Sequence, residues 1–432
     1  MSLDRRTALK HLGGASTVAL LAGCIGVQQQ GSGGDQTNQS SGNGSQGGSN
    51  QSNSSSGSSG PSGSATAWYS LPEPEMPARK QAIKTFNQQS NHQISGADIS
   101  DMEKKTTSAI PAGQGPQTFE WAHDWVGDYF QRGFVVDKSD SLSVNLDTFT
   151  SAAREAIQFK GNVVGLPHSA ETVALIYNTD IVDEAPKTVS EMVDVMKDYH
   201  DPGKSQYGLS YPFDPYFTSG WLQAFGGYYF DVNKNPTLGI NTPECIRGLE
   251  FALDSFKPYM PSDPTYEPQA AVFAEGNAAF AINGPWYLAT LNEKDVNYEV
   301  TTLPKPEGGE VNPYTGITMW YFSKGMSEEN ADTKAAREFI EWYVTNEDHL
   351  LSLAKKQGSI PILEELVGSN KLPAEVQAFS QMVERGTPMP TRPRVNKVWS
   401  AMETALIKAF NGDATAKAAL NGAAKTARSN WN

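Results

Sequence analysis

Phe273-Ala-Glu-Gly-Asn-Ala-Ala-Phe-Ala-Ile-Asn-Gly-Pro-Trp286 reads as a turn, a strand and an abrupt stop. Phe273 to Gly276 forms the turn, Ala278 to Ile282 an apolar strand, and Asn283-Gly-Pro-Trp286 the stop. In open α/β sheets, ligands bind at the carboxyl ends of strands. Trp286 stands at such an end. An indole there can equally anchor a loop or fill a core, so the reading depends on what surrounds it in the rest of the chain.

Three further clusters share its chemistry. Trp121-Ala-His-Asp124-Trp125 follows the strand-like Thr118-Phe-Glu120 and places two indoles beside a carboxylate. Phe213-Asp-Pro-Tyr216-Phe-Thr218 puts a carboxylate and aromatics in a loop that Pro212 and Pro215 keep out of helix and strand. Met389-Pro390 and Pro393 precede Trp399 near the start of a helix. Aromatic residues mostly fill cores, so each cluster alone says little. Together they describe a cleft lined by flat apolar faces and a few carboxylates. A pyranose ring offers C–H groups on its faces and hydroxyls at its edge, which suits indoles and carboxylates. A cationic ligand would suit them too. The residues prefer a sugar and leave a cation open.

Helical and strand patterns alternate elsewhere, which marks an α/β protein. Met76 to Ser90 has helical spacing, with Ala78, Ala82, Ile83 and Phe86 on one side. Thr188-Val-Ser-Glu191 is a capping-box pattern that opens another helix. Thr242-Pro243 starts a third, Ala335 to Tyr343 marks a late one, and Trp399, Met402, Leu406 and Phe410 mark the last strong one. Val163 to Leu166 and Thr172 to Asn178 are strand-like.

The first 64 residues carry an address. Arg5-Arg6 precedes a weakly apolar stretch that ends in Leu21-Ala-Gly-Cys24. The paired arginines resemble a twin-arginine export signal, and the last four residues resemble a lipobox with Cys24 as the lipidated residue. From Gln28 to Ser64 the chain is almost entirely Ser, Gly, Asn and Gln, with Thr37, Pro61 and one charge, Asp35. Such a tract cannot bury enough surface to fold. It also holds Asn-x-Ser triplets at Asn38, Asn43, Asn50 and Asn53, which are glycosylation acceptors in form. The expectation is a domain tethered at the outer face of the cytoplasmic membrane after twin-arginine export.

The whole chain of 432 residues carries a net charge of −14. Without Asp4, Arg5, Arg6 and Lys10 the mature charge becomes −16. That balance disfavours nucleic acid and anionic lipid as partners. With the leader, it resembles proteins of halophilic archaea. If Cys24 carries lipid, Cys245 stands alone, and it reads as a small buried hydrophobe. The mature chain's histidines are scattered at 92, 123, 168, 200 and 349, so neither a metal site nor a cofactor is expected.

From about Ala65 onward, the chain resembles the maltose/maltodextrin-binding proteins of extracellular solute-binding family 1. The resemblance rests on Trp121-Ala-His-Asp124, Leu166-Pro-His-Ser-Ala-Glu171-Thr-Val-Ala-Leu-Ile-Tyr-Asn178, Asp214-Pro-Tyr-Phe-Thr218, Phe280-Ala-Ile-Asn-Gly-Pro-Trp286, and Met389-Pro390 leading to Trp399. It implies a two-lobed α/β fold of the type II periplasmic-binding-protein class, with ligand in the cleft between lobes. The N-terminal lobe would comprise residues 65–170 plus 316–368, and the C-terminal lobe 171–315 plus 369–432. Residues 1–23 would form the signal peptide and 24–64 the lipidated cysteine and linker.

By the same resemblance, Trp121, Asp124 and Trp125 contact ligand from one lobe, and Glu171 does so from the first crossover. Asp214, Tyr216, Tyr266 and Trp286 do so from the other lobe, and Trp399 stacks on a sugar face. Several positions depart from the family pattern: Trp125 replaces an arginine, Asp214 a glutamate and Glu403 an arginine. Trp68 to Glu73 lacks an Asp-Lys pair.

The expected function is a non-catalytic, monomeric receptor. It would capture maltose, maltodextrin or a related α-glucoside and deliver it to the transmembrane subunits of an ABC permease. The alternatives are a receptor for another solute, chiefly a cationic one, and a glycoside hydrolase using Glu171 and Asp214.

Overall fold

A computed structural model describes residues 62–431. The leader, Cys24, the Asn-x-Ser triplets and nearly all of the tether lie outside the described residues. The expected linker boundary at residue 64 is slightly late. Ser64 already opens a strand, and Gly63 N donates to the buried His92 Nδ1 at 2.9 Å. Serine and glycine composition does not distinguish a tether from the edge of a sheet.

Strands β1 (Ser64–Tyr69), β2 (Gln93–Asp98) and β3 (Thr118–Ala122) come first, followed by a short hairpin of β4 (Gln158–Phe159) and β5 (Asn162–Val163). Next are β6 (Gly165–Glu171), β7 (Ala174–Asn178), β8 (Tyr207–Ser210), β9 (Ala278–Asn283) and β10 (Tyr298–Thr301). The last three are β11 (Tyr314–Phe322), β12 (Ile360–Pro361) and β13 (Thr387–Pro388). They form two main sheets. One has the order β12-β6-β11-β3-β1-β2 with β13 against β11, and the other has the order β10-β7-β9-β8. Two sheets with helices around each are the two lobes of the α/β fold.

The predicted helices form where their periodicity places them. Met76–Gln89 buries Ala82, Ile83 and Phe86, and Ala331–Thr345 buries Phe339, Ile340 and Tyr343. The Thr188 box is complete: Thr188 Oγ1 accepts from Glu191 N, and Glu191 Oε2 accepts from Thr188 N, both at 3.2 Å. That reciprocal capping fixes the start of the helix Val189–Tyr199. Cys245 is fully buried near the start of the helix Pro243–Phe256.

One strand expectation shifts. The apolar run from Thr172 begins as a crossing, and pairing starts only at Ala174. Only Thr172 and Val173 separate β6 in one sheet from β7 in the other. The buried Thr172 Oγ1 donates to Tyr314 O at 3.1 Å, which binds this crossing to the start of β11. A later segment is joined to the same point: Thr387 N donates to Pro313 O at 2.8 Å and Met389 N to Thr315 O at 3.0 Å. The connections between sheets are therefore hydrogen-bonded into one ribbon.

Among the described residues no helix is long and apolar enough to cross a membrane.

Candidate functional site

The stop after β9 is built by local sterics. All six residues of β9 are buried, because the strand lies between β7 and β8 in its sheet. Asn283 Oδ1 accepts from Gly284 N at 2.8 Å, and Pro285 opens a single helical turn, Pro285–Tyr287. The Trp286 indole folds back over Gly284: a Cβ added there would lie 2.2 Å from the ring. Glycine is needed here for close approach, not for an unusual φ.

Parallel pairing of β8 and β9 puts their carboxyl ends side by side. The loop after β8 therefore meets the turn after β9. Tyr216 and Phe217 pack on Trp286 with ring centroids 6.2 and 6.1 Å apart, and Phe217 packs on Tyr266 at 6.0 Å. Three expected residues, Tyr216, Tyr266 and Trp286, thus belong to one aromatic wall. Phe217, which sequence reasoning treated only as part of the loop, joins them.

Asp214 has a local structural task in its own loop. Its Oδ1 accepts from Tyr216 N at 2.8 Å and Phe217 N at 3.0 Å, so this oxygen shapes the aromatic loop. Its carbonyl also accepts from Thr218 N and Oγ1. The Asx-type turn is the behaviour short carboxylates favour in proline-rich loops.

On the other sheet, Trp121 lies near the end of β3 and Asp124 in the turn His123–Trp125, both buried. The Trp121 and Trp125 rings are 4.8 Å apart, so the two indoles pack together beside the carboxylate. His123 holds this turn. Its Nδ1 accepts from Ile317 N at 3.0 Å, which leaves Nε2 to donate to Met389 O, also at 3.0 Å. A neutral imidazole with its hydrogen on Nε2 satisfies both bonds. This one side chain ties the Asp124 turn to β11 and to the Met389-Pro390 segment, a role no local pattern revealed.

Glu171 ends β6 and accepts from Thr318 Oγ1 at 3.4 Å through Oε2. Gly316, its partner across the ladder, makes room for it: a Cβ there would lie 2.5 Å from Glu171 Oε1. Trp399 sits in the second turn of the helix Val395–Asn411, in a group with Tyr314 at 5.5 Å and Tyr229 at 6.0 Å. Glu403 lies one turn further along the same helix.

Glu171 and Trp286, from different sheets, line a common small cavity of about 50 Å³. A larger cavity of about 610 Å³ is lined by His123, Glu155, Tyr228, Tyr314 and Met389 among others, and by none of the nine expected ligand residues. The smaller one is the cavity that two of the nine expected residues line. Among the described residues no group of three or more His, Cys, Asp and Glu side chains is arranged to hold a metal ion.

The same cavity is bordered by a charged cluster that sequence reasoning missed. Arg79 Nη1 and Nη2 donate to the two oxygens of Glu120 at 2.6 and 2.9 Å, and His168 Nε2 approaches Glu120 Oε1 at 2.7 Å. The Arg79 guanidinium also lies 4.7–5.0 Å from the ring centres of Trp320, Tyr69 and Tyr343. Burial alone would raise the Glu120 carboxyl, but the Arg79 charge and the His168 hydrogen bond hold it well below the usual carboxylate range. A depressed folded-state pKa contributes stability above the unfolded value of about 4.3, and the contribution is lost as pH falls through the folded value. The stability difference between the native protein and Glu120→Gln should therefore shrink as pH falls below 4. Urea unfolding at neutral and acid pH measures it, and a constant difference would contradict the assignment.

Comparison with known proteins matches residues 81–380 to the family described as bacterial extracellular solute-binding protein. The chain is 37% identical over 313 residues to a maltotriose-binding protein of Pyrococcus abyssi, covering 71% of this chain and 68% of that one. It is 26% identical over 326 residues to a maltooligosaccharide ABC transporter solute-binding lipoprotein of Streptococcus pneumoniae, with 72% and 75% coverage. Among solved structures, a cyclo/maltodextrin-binding protein complexed with maltotetraose superposes with a TM-score of 0.71 at 25% identity. That match covers 86% of this chain and 98% of the other.

Proposed function

We propose, because the chain belongs to the bacterial extracellular solute-binding protein family, that it is the receptor of an ABC importer for maltooligosaccharides. The observation that carries this reading is the meeting of Glu171 and Trp286 at one cavity, with Tyr216, Phe217 and Tyr266 extending the aromatic wall. Flat rings take the C–H faces of pyranoses and the carboxylates accept from hydroxyls. The ligand contacts are assigned to Trp121, Asp124, Trp125, Glu171, Tyr216, Tyr266, Trp286 and Trp399. Asp214 orients the loop and is assigned to the ligand contacts with them. Lobes 65–170 plus 316–368 and 171–315 plus 369–432 close about the hydrogen-bonded ribbon. Closure is favoured by ligand because only the closed form contacts it from both sides.

The role is non-catalytic. The hydrolase alternative needs two carboxylates dedicated to bond cleavage, and Asp214 Oδ1 is committed to its own turn. Thermal shift with maltose, maltotriose, trehalose and cationic solutes in high salt tests the reading. A ligand at 100 times its Kd adds about 2.7 kcal/mol. Stabilisation by a cationic solute alone would replace the sugar assignment.

The leader and Cys24 are assigned to twin-arginine export and lipid anchoring at the outer face of the membrane, beside the permease. Cys24→Ser should move the protein from the membrane fraction to the medium while the purified domain keeps its sugar affinity. Unchanged membrane retention would point to another anchor.

A further inference from the structure

Strands β10 and β9 both pair antiparallel with β7, so they run in the same direction. The carboxyl end of β9 leads to the aromatic wall. The carboxyl end of β10, at the edge of the sheet, leads to Thr302, Leu303 and Pro304, which border a separate cavity of about 380 Å³. That volume falls within the roughly 300–1,000 Å³ of small-molecule sites. The cavity shares no lining residue with the one at Glu171 and Trp286, and none of the nine expected ligand residues lines it.

Its floor is apolar and its rim is cationic. Leu303, Pro304, Val311 and Met382 are buried residues that line it. Leu303 N donates to Met382 Sδ at 3.4 Å, which joins the segment after β10 to the helix Ala374–Arg385. A thioether is a weak acceptor at a place where a buried N–H usually finds an oxygen. Lys187, Lys305 and Arg385 are exposed and line the same space, with Glu310 as the carboxylate among the lining residues. Glu310 pairs with Lys305. Arg385 Nη1 donates to a neutral partner, Thr302 Oγ1, at 3.3 Å. Glu191 accepts from Lys187 N at 2.7 Å and Thr188 N at 3.2 Å, so it caps its helix, and it does not line the cavity. Glu184, Glu307 and Glu384 are sequence neighbours of these cations, and none of them lines it either. Three cations converging on one cavity set a local field opposite in sign to the net charge of −14.

We propose that this cavity is a second ligand site, for a small organic acid with an apolar body, separate from the sugar site. The floor takes the body of the ligand and removes its surface from water. Arg385 and Lys187 take the carboxylate through charge-assisted hydrogen bonds, with the planar guanidinium matching its two oxygens. A sugar suits the cavity poorly, because none of its lining residues is aromatic and no flat face meets a pyranose ring. The site goes beyond the carbohydrate reading and stands whether or not that reading holds.

Calorimetric titration of the purified protein with phenylbutanoate, its amide and phenylbutylammonium tests this. The acid should bind saturably and about 10-fold more tightly than the amide, and the ammonium should bind more weakly still. Acetate and inorganic phosphate, which lack an apolar body, should bind more weakly than the acid. Lys187→Gln with Arg385→Gln should bring the acid down to the level of the amide. Ala185→Trp places an indole in the cavity and should weaken acid and amide alike. Melting temperatures check that the variants fold, and if Ala185→Trp does not, the glutamine pair, confined to exposed side chains, decides. Saturating maltotriose should leave the acid bound. Equal affinities for acid, amide and ammonium, acid binding untouched by the glutamine pair, or displacement of the acid by maltotriose would each overturn the site. Acetate or phosphate binding as tightly as the acid would overturn the role of the apolar floor and with it the proposed ligand class.

Discussion

Arg79→Met should lower unfolding stability by about 3–5 kcal/mol, the usual cost of breaking a buried ion pair from one side. The substitution removes the guanidinium that pairs with the Glu120 carboxylate, which is 1% exposed. Methionine matches the length of the aliphatic stem and can still fill space between Tyr69, Trp320 and Tyr343, so packing loss is a minor part of the cost. Replacing both partners separates charge from volume. Arg79→Met with Glu120→Leu removes the stranded ion and should recover most of the loss, because no charge then needs solvation. Urea denaturation followed by circular dichroism measures both proteins. Additive destabilisation in the double variant would mean that the pair contributes through shape and not through charge compensation.

That cluster also marks where sequence reasoning stops. The helix Met76–Gln89 was legible from Ala78, Ala82, Ile83 and Phe86, but a lone arginine beside that stripe reads as a solvated position. Glu120 precedes Trp121 in a strand that the sequence suggested, and nothing local says that its carboxylate turns inward. Arg79 and Glu120 lie 41 residues apart and Glu120 and His168 lie 48 apart. Pairing of β3 and of β6 with β11 brings Glu120 and His168 together, and the helix Met76–Gln89 carries Arg79 to them.

The turn after β9 is the opposite case. Gly284, Pro285 and Trp286 specify their conformation within three residues, so the motif could be read without a fold. Asp214 lies between these extremes. Its proximity to the aromatic loop was visible, but its use as that loop's internal hydrogen-bond acceptor depends on backbone N–H directions. His123 shows the same limit. Its two ring nitrogens join β11 to Met389 across 194 and 266 residues, a link that no spacing rule contains.

Trp286→Ala should weaken maltotriose binding by about 2 kcal/mol or more, roughly 30-fold, as expected for a truncated aromatic anchor at the centre of a recognition site. The indole is partly exposed, packs on Tyr216 and Phe217, and borders the same cavity as Glu171. Because it is not fully buried, truncation should cost less folding stability than the roughly 3–5 kcal/mol typical of a core tryptophan. The loop beneath it is held independently by Asp214, so its backbone should persist. Trp286→Phe should restore part of the affinity, since a smaller flat face remains available for C–H contact. Calorimetry paired with thermal melts distinguishes the roles. Unchanged Kd with a sharply lower melting temperature would make Trp286 a structural plug and move the sugar elsewhere. Near-native melting with lost affinity would fix the ligand against this turn, within reach of Glu171 at the same cavity.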